Sequence, residues 1–261
     1  AFESTKIHAD VDGQAEALWI LGEIERIQGQ AEDARNFYVQ SLELYRTLAA
    51  PSGIARNLLS MAQVARYQKD WDEARSLYAR ALQHYENLGD RRGTGMCHNG
   101  LGDIARLERK FDEADRGYGR ALDIYESIGA EFDVAVVLAN LGLNAIGLAD
   151  PAAAQSYLEG ALAIVGQADY PYLVAGIEYN LALARALQGE RGWHERVISL
   201  ADTVPIADID YARPLEELAQ IRHNEGDLDD ARELWEKARD IYRDLGLDDD
   251  VGRIEKRLFG K

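Results

Sequence analysis

The feature that most constrains this chain is a residue pair, Leu or Met followed by Gly or Ala, that returns at an almost constant interval. The first five pairs are spaced by 40 residues, and the sixth follows after 37. They are Leu21-Gly22, Met61-Ala62, Leu101-Gly102, Leu141-Gly142, Leu181-Ala182 and Leu218-Ala219. Self-similarity at such a period is typical of repeat architectures, so the sequence predicts six copies of one unit rather than one globular core.

Three further rows keep the same register. A small residue recurs in all units but the fifth, in the order Ala34, Ala74, Ala114, Ala154, His194 and Ala231. A large row follows, formed by Tyr38, Tyr78, Tyr118, Leu158, Ile198 and Trp235, and then a second small row, Ser41, Ala81, Ala121, Ala161, Ala201 and Ala238. Small side chains let two antiparallel helices approach closely, and aromatic rings fill the wider gap. Each unit is therefore expected to be a helix pair that stacks on its neighbours.

The order Leu-Gly, Ala, aromatic, Ala resembles the tetratricopeptide repeat over essentially the whole chain. The period of 40 is longer than the usual value of about 34, and the second helix of each pair lacks its usual terminal proline. Gly89, Gly129 and Gly246 are expected instead to end second helices in the left-handed conformation. Units of this length resemble those of bacterial STAND-type ATPases and transcription regulators and of kinesin light chains. The resemblance implies a scaffold and does not name a partner.

The resemblance implies an all-α, right-handed superhelical solenoid of antiparallel helix pairs that occupies residues 1–261. The six predicted units span residues 14–49, 53–89, 93–129, 132–166, 171–204 and 211–246. Residues 1–10 are interpreted as the end of a preceding repeat, which would make the chain a fragment of a longer protein; an unrelated helix is the alternative. Residues 248–259 are predicted to form a capping helix. In the fifth unit, Gly192, His194 and Pro205 disturb the pattern, so a kink or a widened groove is expected there.

Composition excludes several classes of function. The net charge of −17 disfavours binding to nucleic acid or anionic membranes, because both need a basic surface. Cys97 is the only cysteine and is predicted to be a packed thiol, which fits a reducing, cytoplasmic location. The five histidines show no metal-ligand spacing, and no catalytic motif is present. We therefore expect no catalytic residue, no metal site and no cofactor.

By resemblance, the first helix of each pair lines a concave groove. The residues that we predict to contact a partner there are Arg26, Arg66, Tyr67, Asn99, Arg106, Asn140, Leu143, Tyr179, Asn180 and Leu183. Arg26, Arg66 and Arg106 recur at one register, so they are expected to stack as a ladder. The ladder either grips a carboxylate or phosphate of the partner or pairs with Glu23 and Asp103.

The groove positions of the fourth and fifth units carry no charge, and Asn140 and Asn180 hold equivalent places in them. An exposed apolar strip with spaced amides suits an extended or helical peptide. The alternatives are that these side chains pack on one another or are covered by another part of the full-length protein.

These patterns favour a protein- or peptide-binding module of a larger cytoplasmic signalling or regulatory protein. The expected ligand has apolar and acidic residues. The first alternative is self-association, or an autoinhibitory sensor domain of a STAND-type ATPase or transcription regulator. A third possibility is an enzyme with a polar pocket around His194 and Glu195.

Overall fold

The computed structural model describes residues 2–166, 170–190, 192–201 and 209–259, with side chains described over 11–166, 170–190, 192–200 and 212–259. Within these ranges the chain forms thirteen α-helices and no strand. The predicted all-α class is therefore confirmed. No helix in the described ranges has the length and apolar content that crossing a bilayer requires.

Each odd-numbered helix from the first to the eleventh packs on the even-numbered helix that follows it. The helices are α1 (Phe2–Ile27), α2 (Ala31–Thr47), α3 (Pro51–Tyr67), α4 (Trp71–Leu88), α5 (Arg91–Leu107), α6 (Phe111–Ser127), α7 (Glu131–Gly147), α8 (Pro151–Val165), α9 (Pro171–Leu187), α10 (Trp193–Ala201), α11 (Ile209–Glu225), α12 (Leu228–Asp244) and α13 (Asp248–Phe259).

The chain divides into two compact units, residues 1–130 and 131–261, called unit 1 and unit 2. In unit 1, three helix pairs stack because α2 packs on α3 and α4 packs on α5. In unit 2, α8 packs on α9, and α13 packs on α12 at the end of the unit. The packing of α8 on α9 thus repeats the arrangement of unit 1, in which the second helix of a pair lies against the first helix of the next.

Two sequence expectations concern irregular segments. The sequence pattern assigns residues 1–10 to the end of a preceding repeat, whereas α1 runs from Phe2 through Gly13 to Ile27 without a break. No proline interrupts this stretch, and a single helical glycine costs only about 1 kcal/mol relative to alanine. In the fifth pair, whose sequence pattern is disturbed, the second helix is described over the 9 residues of α10. Pro205, which we expected to stop this helix, lies outside the described residues.

The turns inside the helix pairs share one backbone conformation. Six equivalent residues have positive φ angles between 58° and 92°: Gly29, Lys69, Arg109, Ala149, Gly189 and Gly226. Between pairs, the left-handed conformations predicted for Gly89, Gly129 and Gly246 are confirmed. The carboxylates of Asp70, Asp90 and Asp150 accept hydrogen bonds from backbone N–H groups in the first turn of α4, α5 and α8.

Small side chains hold the pairs together. Ala34, Ala74 and Ala114 are fully buried, as are their partners in the second small row of α4 and α6. A Cβ atom placed on Gly22 would lie 2.5 Å from the ring of Tyr38, and one on Gly102 would lie 2.8 Å from the ring of Tyr118. The glycines thus let the tyrosine rings of the second helix lie directly against the first helix.

The closest backbone approach that a glycine permits can be tested within α6. A Cβ atom on Gly117 would lie 2.9 Å from Cα of Gly102 and 3.1 Å from the carbonyl oxygen of His98, both in the backbone of α5. We expect Gly117→Ala to lower the free energy of unfolding by about 1 to 3 kcal/mol, because α5 and α6 must move apart. Gly119→Ala is the control, because nothing lies within 4 Å of its Cβ position. It should stabilise by about 0.5 to 1 kcal/mol. Urea unfolding measures both, and equal effects would contradict the close-packing explanation.

Candidate functional site

A hydrogen-bonded cluster centred on Glu23 lies on the inner side of unit 1. The hydroxyls of Tyr38 and Ser60 donate to Oε1 of Glu23 over 2.6 and 2.9 Å, and Nη2 of Arg26 lies 2.6 Å from Oε2. The indole N–H of Trp19 donates to Ser60 over 3.1 Å. Burial alone would raise the pKa of Glu23, but the hydrogen bonds from Arg26, Tyr38 and Ser60 together lower it below its ordinary value. The carboxylate therefore stays charged and joins the first two helix pairs.

The third pair repeats this pattern with a buried arginine. The hydroxyl of Tyr118 donates to Oδ1 of Asp103 over 2.8 Å, and Nε of Arg106 donates to Tyr118 over 3.2 Å. In the second pair Gln63 takes the place of the acid, and Arg66 instead lies 3.4 Å from Oδ2 of Asp103. Arg26, Arg66 and Arg106 therefore share one register. Of the two roles predicted for them, pairing with acids of the chain is the one seen for Arg26 with Glu23 and for Arg66 with Asp103.

A cleft of about 250 Å³ opens where α1 and α3 end and α2 begins. The arginine side chains in its wall are each 35% exposed, and Tyr67 is 72% exposed. Its lining residues are Arg26, Gly29, Ala31, Gln63, Val64, Arg66 and Tyr67. Both charged residues of the lining are arginines, and each also pairs with an acid outside the lining, Arg26 with Glu23 and Arg66 with Asp103. We call this cleft the two-arginine cleft.

The chemistry of the two-arginine cleft suits an anionic side chain. A guanidinium presents a planar set of N–H donors that matches a carboxylate or a phosphate. The ion pair of Arg66 with Asp103 is long, and Nε of Arg66 is buried without a hydrogen-bond partner among the described residues. Drug-sized ligands need pockets of about 300 to 1,000 Å³. The smaller volume here matches one side chain of a larger partner.

The structure brings together three of the ten predicted contact residues, Arg26, Arg66 and Tyr67, at the two-arginine cleft. Asn99 on α5 and Asn140 on α7 are half-buried, and neither lines this cleft.

The predicted exposure of the other five residues is wrong. Tyr179 and Leu183 are 0% exposed, and Arg106, Leu143 and Asn180 are also buried. In unit 2 the first helices α7, α9 and α11 contact one another, so their inward side chains form a core. Burying a large apolar side chain stabilises by about 1.5 to 3 kcal/mol, and the unit 2 positions Leu143, Tyr179, Asn180 and Leu183 carry no charge to oppose closure. At these buried positions of unit 2, the side chains of the apolar strip therefore pack on one another, which was the first alternative.

A second cavity, of about 460 Å³, lies in unit 2 beside His194, in the irregular fifth pair. Its polar groups pair with one another: Nε2 of His194 lies 2.9 Å from Asp230, while Arg222 pairs with Glu225 and Asp227. Glu195, the other residue of the enzyme hypothesis, is mostly exposed and lies 3.7 Å from His194. Among the described residues no group of three or more His, Cys, Asp or Glu side chains is arranged to hold a metal ion.

Sequence reasoning missed the tyrosine hydroxyls. Tyr38 and Tyr118 were assigned to a gap-filling row, yet their hydroxyls donate to Glu23 and Asp103 across each helix pair. The available signal was the choice of residue, since the chain has 13 tyrosines and only 5 phenylalanines. Cys97, by contrast, is buried as predicted, and burial raises the pKa of its thiol to about 12.

Comparison with known proteins agrees with this geometry. The tetratricopeptide repeat family model matches residues 53–127, which hold the second and third helix pairs. A search of curated proteins found no match. Residues 53–127 are therefore tetratricopeptide repeats, and the chain is of the tetratricopeptide type in its fold.

Solved structures extend the likeness beyond that segment. A Rap protein complexed with Competence and Sporulation Factor is 16% identical, with 95% of this chain and 74% of that chain covered and a TM-score of 0.66. The apo form of RapI is also 16% identical, with coverage of 90% and 85% and a TM-score of 0.70. PilF of Pseudomonas aeruginosa is 20% identical, with coverage of 90% and 94% and a TM-score of 0.60. At these identities the likeness shows a shared fold.

The Glu23 cluster makes stability depend on pH. Because the folded chain lowers the pKa of Glu23, the stabilisation is present above the ordinary value of 4.5 and is lost as the pH falls through the folded-state pKa. We expect Glu23→Gln to lower the free energy of unfolding by about 1 to 2 kcal/mol at pH 7, with the difference narrowing below pH 4.5. Urea titrations at a series of pH values test this, with exposed Glu43→Gln as the control. A difference that is constant with pH would rule out the ionised cluster.

Closure of the inner side of unit 2 also has a measurable consequence. Leu183→Ala should lower the free energy of unfolding by about 2 to 5 kcal/mol, because it leaves a cavity between packed helices. Leu148→Ala is the control, since Leu148 is 43% exposed. Denaturant unfolding of both variants is the measurement, and a loss below 0.5 kcal/mol at Leu183 would show an open, solvated groove there.

Proposed function

We propose that this chain is a protein- or peptide-binding scaffold that holds an acidic residue of its partner in the two-arginine cleft. The observation that carries the proposal is the meeting of Arg26, Arg66 and Tyr67 around a space the size of a side chain. An anion there would contact both guanidinium groups, and an adjacent apolar residue would pack on the exposed ring of Tyr67.

The proposed ligand is a peptide or a protein segment rather than nucleic acid or a lipid surface. The net charge of −17 repels polyanions at long range, whereas a single carboxylate needs only the local field of the cleft. A Rap protein with the same fold was solved in complex with Competence and Sporulation Factor, which supports ligand binding as a use of this architecture. We place the module in a cytoplasmic signalling or regulatory protein.

Binding is preferred to the two alternative functions for structural reasons. The apolar strip on which self-association was based is buried at its central positions in unit 2. The polar groups around His194 already contact one another, which leaves them poorly placed to act on a substrate. Only the two-arginine cleft combines exposed arginines with an exposed aromatic ring among the predicted contact residues.

The cleft can be tested with a library of short peptides that carry Asp, Glu or phosphoserine. We expect Arg66→Ala to weaken the tightest-binding acidic peptide at least about tenfold, because a tenfold loss is the 1.4 kcal/mol typical of one charge-assisted hydrogen bond. Isothermal titration calorimetry measures the affinities, and the wild-type affinity should fall with added salt.

Arg75→Ala is the matched control, because Arg75 is similarly exposed and pairs with Glu108 away from the cleft. It should bind the same peptide as wild type does. Circular dichroism establishes that both variants are folded. Equal losses in the two variants, or no binding of any acidic peptide by the wild type, would contradict the proposal.

A further inference from the structure

One side of α1 is uncovered although it has the composition of a buried face. Gly13, Ala17, Leu21 and Ile24 lie along it at intervals of three or four residues, so they share one side of the helix. All four are exposed, and Leu21 and Ile24 are each 42% accessible. We call these four residues the α1 outer face.

The same register is buried in later helix pairs. The residues equivalent to Ala17 in the next four pairs are all buried: Asn57, Cys97, Val137 and Ile177. The residues equivalent to Ile24 are buried as well: Val64, Ile104, Asn144 and Ala184. In the later pairs this face is therefore buried by stacking. On α1, which is also the first helix of a pair, the same face is exposed.

The glycine positions show what covers this face elsewhere in unit 1. A Cβ atom on Gly53 of α3 would lie 2.3 Å from the ring of Tyr45, which α2 contributes from the preceding pair. A Cβ atom on Gly93 of α5 would likewise lie 2.3 Å from the ring of Tyr85 of α4. Gly13 holds the equivalent position on α1, and nothing lies within 4 Å of its Cβ position. The α1 outer face thus carries a glycine at the position where a stacked pair packs a tyrosine ring against it, but no ring lies against Gly13.

We propose that the α1 outer face is a docking surface for the second helix of a further tetratricopeptide-type pair, joined to the amino-terminal side of this chain. The stacking of α2 on α3 and of α4 on α5 supports this occupant, because docking would continue the same interface by one more unit. By sequence, residues 2–8 align with the last turns of α2 and α4, with Thr5 at the position that Tyr45 and Tyr85 hold there. In the docked state residues 2–8 end the covering helix, and α1 begins at Val11, in register with Pro51 and Arg91 at the start of α3 and α5.

A second copy of this chain does not offer an equivalent helix. The tyrosines that hold this register in the second helices are already buried in their own chain: Tyr45, Tyr85, Tyr125 and Tyr242. A dimer in which two copies meet through their α1 outer faces is one outcome of the experiment below.

The experiment extends the chain with its own sequence. Residues 51–80, which hold α3 and the first half of α4, are placed directly before Ala1, so that Ala1 follows in the register of Ala81. We expect amide hydrogen exchange of residues 17–24 to slow at least about tenfold, and the thermal midpoint to rise by about 4 °C or more, since neighbouring repeats stabilise one another. Backbone chemical shifts should show a helix break between residues 8 and 11.

Ile24→Glu, made with and without the extension, is the control. It should change the melting temperature of the unextended chain by less than about 2 °C, because Ile24 is exposed there, and it should abolish the slower exchange in the extended chain. If Ile24→Glu does not fold, Ala17→Gln tests the same face.

Three results would overturn the proposal. Exchange of residues 17–24 could be unchanged by the extension, or it could slow equally in the Ile24→Glu chain. Light scattering could also show that the unextended chain is a dimer that Ile24→Glu dissociates, in which case the occupant is a second copy.

Discussion

The structure depends on the close approach of two helices where a glycine or alanine of one meets a large ring or branched side chain of the other. Gly22 faces Tyr38, Gly102 faces Tyr118, and Gly142 faces Leu158, each with no room for a Cβ atom unless the neighbour shifts. This contact sets the distance between the two helices of each of these pairs. It also brings the hydroxyls of Tyr38 and Tyr118 through the pair to Glu23 and Asp103 on the inner side. The packing rule of the fold and the polar chemistry of unit 1 therefore come from the same side chains.

The identity of one inner row explains why the two units differ. In unit 1 this row is Glu23, Gln63 and Asp103, and each acid is held by arginine and tyrosine. Polar groups of this kind cost free energy when they are buried without partners, so parts of the row remain at the surface beside the two-arginine cleft. In unit 2 the row continues as Leu143 and Leu183, which gain by leaving water, and the neighbouring helices close over them. One scaffold thus yields a partly open polar side in unit 1 and a buried apolar side at Leu143 and Leu183 in unit 2.

Much of the fold could be predicted because packing repeats along the chain. The spacing of Leu-Gly pairs located the helix pairs, and Gly89, Gly129 and Gly246 marked left-handed helix ends. Lys69, Arg109 and Ala149 adopt the same backbone conformation, yet their sequence carries no signal for it, because the stacked helices impose the turn and outweigh the strain of a positive φ angle. The contact residues were harder to predict. A family register states which side of a helix faces inward, but whether that side is open depends on how closely α7, α9 and α11 approach, and this is a property of several side chains together.

The burial of Arg106 shows why register alone cannot assign a binding role. Arg26, Arg66 and Arg106 are 40 residues apart and occupy equivalent helical positions, yet only the first two reach solvent. The three arginines find different partners: Arg26 pairs with Glu23 of its own helix, Arg66 reaches Asp103 of the next pair because Gln63 replaces the acid in its own, and Arg106 donates to Tyr118. Whether a charged side chain can bind a ligand therefore depends on the ion pairs and hydrogen bonds that it already makes within the chain. At the two-arginine cleft, the amide of Gln63 stands where the first and third pairs carry an acid.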